Sequence, residues 1–239
     1  MSRLVLMSSL MMLGMSAGAG PASGQVERSL ASPDPVGTVR QPPDSNCFIT
    51  GVVSFDAGRN AGFGQMQMPD IVYGPPIGTG DLFGSLDVVS LGDEGEIVVE
   101  LGDYVVDGDG PDFIVFENPF NIGGDPTNPF AEPGEVSVSE DGVDWTTFPC
   151  DGPFSCSVNG YPYSSCAGWH AVYSNPDNGI SPFDPAVAGG DAFDLADIGV
   201  ARIKFIRIRD MNRQCSGAPS AGFDLDAISI IHPESIVCE

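Results

Sequence analysis

Hydrophobic positions along the chain fall into short runs, most of them alternating with polar residues, and no stretch of twelve or more has the spacing of an amphipathic helix. The runs "CFITGVVSF", "DVVSLGDEGEIVVELGDYVV", "PDFIVFEN", "EVSVSEDGVDWTTFP", "ARIKFIRIRD" and "FDLDAISII" are rich in β-branched and aromatic residues and are separated by Gly, Pro, Asn and Asp. They predict strands. With 31 glycines and 21 prolines, at most a short helical turn is expected, in "DAFDLADIG". The expected fold class is all-β, an antiparallel two-sheet β-sandwich, because two sheets packed face to face bury alternating strands.

Local detail follows from the period of two. In "VSVSEDGVDWTTF", Asp141 and Gly142 are expected to take the two positive-φ positions of a type I′ turn. Val136 and Val138 share one face, whereas Trp145 and Phe148 cannot, which predicts a bulge or a strand end near Thr147. In "IKFIRIRD" the apolar parity changes between Phe205 and Ile206, so a bulge is expected there, with Arg207 and Arg209 on one face pairing with nearby Asp residues.

At the N-terminus, Arg3 precedes an apolar stretch from Leu4 to Met15 and then small residues, the pattern of a secretory signal peptide over 1–24. Residues 25–46 lack periodicity and read as a flexible linker, leaving 47–239 as one β-sandwich domain. The apolar stretch is too short to span a bilayer and no second one follows, so no transmembrane segment is expected. Six cysteines (Cys47, Cys150, Cys156, Cys166, Cys215, Cys238) then predict disulfides. The expectation is a local bridge among Cys150, Cys156 and Cys166, and a long one from Cys47 or Cys215 to Cys238.

Charge narrows the function classes. Against 33 acidic residues stand 9 basic ones, a net charge of −24, and Lys204 is the only lysine. Nucleic acid, which requires a basic stripe, is excluded as a partner. Divalent cations and uncharged ligands remain. "DGDGPD" places Asp107, Asp109 and Asp112 in a Gly-rich turn, the curvature that a Ca²⁺ site needs to bring six to eight oxygens to about 2.3 to 2.6 Å. It is not an EF-hand loop, since Asp112 stands where that loop has glycine. Further acids stand in "NPFAEPGE" with Glu132, "GGDAFDLADIG" and "GFDLDAI", so the candidate ligands are Asp107, Asp109, Asp112, Asp191 and Asp224. The alternative is that these are solvated turn residues. Asp194 and Asp224, each between Phe and Leu, would then face water.

For a ligand, "NGYPYSSCAGWHAVYSNPDNGISPFD" sets Tyr161, Tyr163, Trp169, His170 and Tyr173 in a long polar segment. Rings that stack on sugar faces beside Asn and Asp would make a carbohydrate site. Equally, Trp169 and Tyr173 could cap the core beside a disulfide. Nucleophile-elbow, H-E-x-x-H and phosphate-loop patterns are absent, so no catalytic residue is named.

Two resemblances add to this. The ordered blocks "VVSLGDEGEIVVEL", "DGDGPDFIVFEN", "EVSVSEDGVDW", "GGDAFDLADIG" and "GFDLDAISI", covering most of residues 48–231, resemble a group of bacterial exported or cell-surface proteins, mostly of uncharacterised function. That resemblance implies a location outside the cell and a β-sandwich, with no catalytic mechanism. The hairpin "VSVSEDGVDWTTF", with "IKFIRIRD" and "GFDLDAISII", is similar to galactose-binding-like, discoidin-type jelly-roll domains. Together these readings favour a secreted or surface-bound, Ca²⁺-stabilised, non-catalytic module that binds a glycan or cell-surface polymer. A structural or adhesive surface protein is the second reading, and a polysaccharide-active glycosidase or lyase the third.

Overall fold

The computed structural model describes residues 46–150, 165–213 and 222–239. The expected signal peptide and all of the linker but Asn46 lie outside these residues, as do Cys156, Tyr161, Tyr163 and Cys215. In chain order the strands are β1 (Ile49–Asp56), β2 (Val89–Ser90), β3 (Glu96–Val106), β4 (Phe113–Phe116), β5 (Phe120–Asn121) and β6 (Pro129–Phe130). There follow β7 (Gly134–Ser139), β8 (Thr146–Thr147), β9 (Cys166–Ala167), β10 (Asp191–Phe193), β11 (Arg202–Asp210), β12 (Asp224–Leu225) and β13 (Ala227–Ile230). Every pairing is antiparallel, and the described helical structure is limited to short 3-10 turns. The all-β class expected from the alternating pattern is therefore what the chain forms.

The larger sheet runs β1-β3-β11-β7-β8 with β9 beside β7, and a smaller one runs β10-β4-β13. One core joins them: Ile97, Val99, Ile206 and Ile208 of the first pack in the same cluster as Phe113, Val115, Phe193 and Ile228 of the second. Strand β4 has a second buried face, where Ile114 and Phe116 meet Val172 and Ala188. The segment 172–190 thus covers that face, which explains why "FIVF" is unbroken by polar residues. Close approach is permitted by Gly190, whose φ is 71° and where a Cβ would stand 2.6 Å from the Phe116 ring.

Two local expectations are corrected. The 134–147 hairpin exists, with Ser137 opposite Thr147, but among its turn residues only Gly142 has positive φ (76°). Asp141 instead accepts from the backbone N–H groups of Val143 and Asp144, and Ser139 Oγ accepts from that of Gly142. These side-chain bonds stabilise a wider loop over a two-residue turn. In β11 the irregularity lies between Ile203 and Phe205, one residue earlier than expected, because β3 carries the extra residues there: Ile203 faces Val105 and Phe205 faces Glu100. Arg207 pairs with a glutamate, not an aspartate, lying 3.9 Å from Glu96 with its guanidinium over the Trp145 ring. The expected strand end at Thr147 is observed, with Phe148 buried. The expected helical turn spans Leu195–Ile198.

Both kinds of disulfide form, Cys150–Cys166 and Cys47–Cys238. The C-terminal segment leading to Cys238 is held by Asp103, a buried carboxylate that accepts from the N–H groups of Ser235, Ile236 and Tyr104 and from Ser235 Oγ. Burial alone would raise its pKa, but these hydrogen bonds outweigh it and the pKa is lowered. A carboxylate depressed in the folded state stabilises fully above its unfolded pKa of about 3.9, and that contribution is lost as pH falls through the folded value. Wild type and Asp103→Asn should therefore differ in urea stability at pH 6, with the gap closing in acid. A gap independent of pH would rule the charge out.

Candidate functional site

The two ends of β4 show how differently this chain treats a buried acid. Before it, Asp112 is fully buried and fully used: Gly108 N–H and the His232 Nδ1 lie 2.8 and 2.7 Å from Oδ1, and Leu195 N–H lies 2.7 Å from Oδ2. Asp107 and Asp194 stand close to it, each offering an oxygen within 4.8 Å. Asp194 also caps the 3-10 turn through the Ala196 N–H, and Asp109 lies exposed outside this group. Nothing in the solvation of Asp112 requires an ion, since backbone donors and imidazole already replace water.

After β4, Glu117 is 1% exposed, and only Oε1 has a donor, the Asp224 N–H at 3.3 Å. Its Oε2 is buried with no hydrogen-bond partner. Glu132, 2% exposed, and Asp224 of β12 complete a trio whose oxygens lie within 4.8 Å of one another. Burial first, then the negative charges of Asp224 and Glu132, hold the Glu117 pKa well above the carboxylate range. Burial likewise pushes Asp224 up to about 6, against the lowering effect of Ser90 and Asn118. Among the described residues, no cation forms an ion pair with Glu117 or Asp224. The acidic clusters could hold a metal ion, and this one contains a buried oxygen with no hydrogen-bond partner.

The five candidate ligands are thus brought to different places. Asp107 and Asp112 join Asp194, while Asp224 joins Glu117 and Glu132. Asp191 joins neither group, although its charge adds to the raising of the Glu117 pKa; it accepts from the N–H groups of Gly168 and Trp169 and sits 2.6 Å from His170 Nδ1. That bond raises the His170 pKa more than burial lowers it. Glu117 and Glu132 were not among the candidates. A signal for Glu117 was present, since an acid directly after a strand buried on both faces has no solvent side to turn to.

The loop between Glu117 and Glu132 lines a cleft of about 380 Å³ through Pro119, Phe120, Asn121, Pro129 and Phe130. One wall is the β5–β6 hairpin, whose Phe120 and Phe130 rings stack with centroids 5.3 Å apart. His170 and Tyr173, the latter 44% exposed, also line the cleft, and Asp81 and Asn121 add polar groups. Trp169 touches the cleft but is 4% exposed and packs with Ala131 and the Cys150–Cys166 bridge, the capping position. Of the aromatic candidates described, Tyr173 and His170 are the ones presented to solvent.

The class that fold and site define is an all-β, disulfide-bonded protein with acidic clusters able to hold a metal ion and a neighbouring aromatic cleft. Comparison with models of known protein families and with curated proteins finds no match. Among the described residues no helix is long and apolar enough to cross a membrane.

Proposed function

We propose that this protein is an exported, Ca²⁺-stabilised, non-catalytic binding module, secreted or held at the cell surface, whose cleft takes an uncharged glycan. The observation that carries the reading is the cleft itself: its lining combines the exposed Tyr173 and the stacked Phe120–Phe130 pair with Asp81, Asn121 and His170. Flat apolar surface with a few hydrogen-bonding groups suits the C–H faces and hydroxyls of a sugar. A net charge of −24 disfavours anionic polymers. Export is supported by the N-terminal charge and hydropathy pattern and by two disulfides, which persist in oxidising compartments. Calcium is supported by an all-oxygen donor set of carboxylates.

The test is retardation of the purified protein by a panel of uncharged polysaccharides in affinity electrophoresis, with calcium present. Tyr173→Ala, at an exposed position, should leave the fold intact and weaken binding roughly fivefold to tenfold, about 1 kcal/mol. Retardation of wild type and variant alike would remove Tyr173 from the site. No retardation by any polymer would favour the structural or adhesive reading, for which the exposed Leu82, Phe83 and Leu86 provide apolar side chains.

A further inference from the structure

We infer that a single Ca²⁺ ion held by Glu117, Glu132 and Asp224 clamps the stem of the 117–132 loop and thereby sets the aromatic wall of the cleft. This rests on the calcium part of the proposed function and is independent of whether the ligand is a glycan.

The chain leaves β4 at Phe116, passes Glu117, forms the β5–β6 hairpin that carries Phe120 and Phe130, and returns through Glu132 to β7. Glu117 and Glu132 therefore sit at the outgoing and returning ends of one loop. Their carboxylates meet in the interior, at 1% and 2% exposure. Asp224 reaches them from β12, which is pinned to β2 by the Asp224–Ser90 pairing and by a hydrogen bond from Ser90 Oγ to Asp224 Oδ1. A divalent cation bound by the three carboxylates would tie both ends of the loop to β12 and draw the stem closed.

One feature beyond the crowding of acids points to a ligand. Glu117 Oε2 is a buried oxygen with no hydrogen-bond partner, although native chains satisfy nearly all such atoms. The comparison within the same molecule is direct, because Asp112, equally buried at the other end of β4, has donors on both oxygens. The donor set is carboxylate oxygen, which selects a hard cation over zinc or copper. Calcium fits better than magnesium: it accepts bidentate carboxylates in irregular geometry, whereas Mg²⁺ retains several waters, which carboxylates as buried as Glu117 and Glu132 disfavour.

The experiment uses the full chain, stripped with EDTA and reloaded with Ca²⁺ or Mg²⁺, with bound metal determined by elemental analysis. Hydrogen exchange is then followed across 117–132. The expected result is one Ca²⁺ per chain, slower exchange in that loop with calcium but not magnesium, and calcium affinity weakened more than about tenfold in Glu117→Gln while Asp107→Asn retains it. Should Glu117→Gln not fold, Asp224→Asn and the wild-type exchange pattern decide the same question. The inference is overturned if stripped protein rebinds no calcium, if Asp107→Asn loses the ion and Glu117→Gln keeps it, or if calcium slows exchange only near residues 107–112. Failure of every polysaccharide to bind would leave this result standing, and loss of the calcium effect would leave glycan binding to be judged separately.

Discussion

Replacing both Cys47 and Cys238 by serine is expected to lower the unfolding free energy by roughly 5 kcal/mol, the largest single effect in the described structure. The bridge joins residues 191 positions apart and so closes almost the whole described chain into one loop. Its effect is exerted on the unfolded state, which without the bridge gains the conformational freedom of two distant ends, and that gain grows only with the logarithm of loop length. In the folded state the ends meet anyway: Ile230 N–H donates to the Cys47 carbonyl at 2.9 Å, and Phe48 bridges Ser229. The double variant should therefore fold with unchanged strand content and unfold at lower urea. A loss below about 1 kcal/mol would mean that the unfolded chain is already compact or otherwise restrained.

Phe113→Ala is expected to cost about 3 to 5 kcal/mol. Its ring has no exposed surface and is the meeting point of the core aromatics, stacked on Phe193 at 5.1 Å and edge-on to Phe148 at 6.0 Å. Phe193 and Phe148 also touch each other at 4.9 Å, so removal of one ring leaves two partners around a void that they cannot close without shifting β10 and the chain after β8. For a domain of this size the loss corresponds to a fall in melting temperature of roughly 10 °C. Phe113→Leu, which retains much of the volume, should recover a large part of it, and equal losses for the two variants would argue against the cavity explanation. Because β4 also positions Glu117, Phe113→Ala should loosen the proposed calcium site along with the core.

Legibility from sequence varied with the range of the interaction. The period of two located β1, β3, β7 and β11, since a half-buried strand writes its faces into the chain one residue at a time, while β4 and β13, buried at every position, were marked by short apolar runs rich in β-branched and aromatic residues. Cysteine count and position sufficed for the kind of bridges that form, one local and one long. Turn chemistry was partly readable: Asp141 and Gly142 mark the hairpin, but whether Asp141 takes positive φ or accepts hydrogen bonds from Val143 and Asp144 depends on a competition of about 1 kcal/mol.

Composition and pattern by themselves determined an all-β, acidic, disulfide-bonded chain with buried strands and an acid-rich, aromatic-rich set of loops. Tertiary structure alone decided which acids meet. Asp107 and Asp112 are neighbours in sequence and remain together, yet Asp112 is satisfied by the Leu195 N–H and His232, donors far along the chain. Glu117, Glu132 and Asp224 converge only because β4, β7 and the β2–β12 pair end at one place, and strand periodicity sets the face a side chain takes, not the neighbour that arrives from another sheet. The same reason hid the cleft: Tyr173 and Phe120 come to line one cleft when segment 172–190 folds over β4, a packing choice made by the whole core.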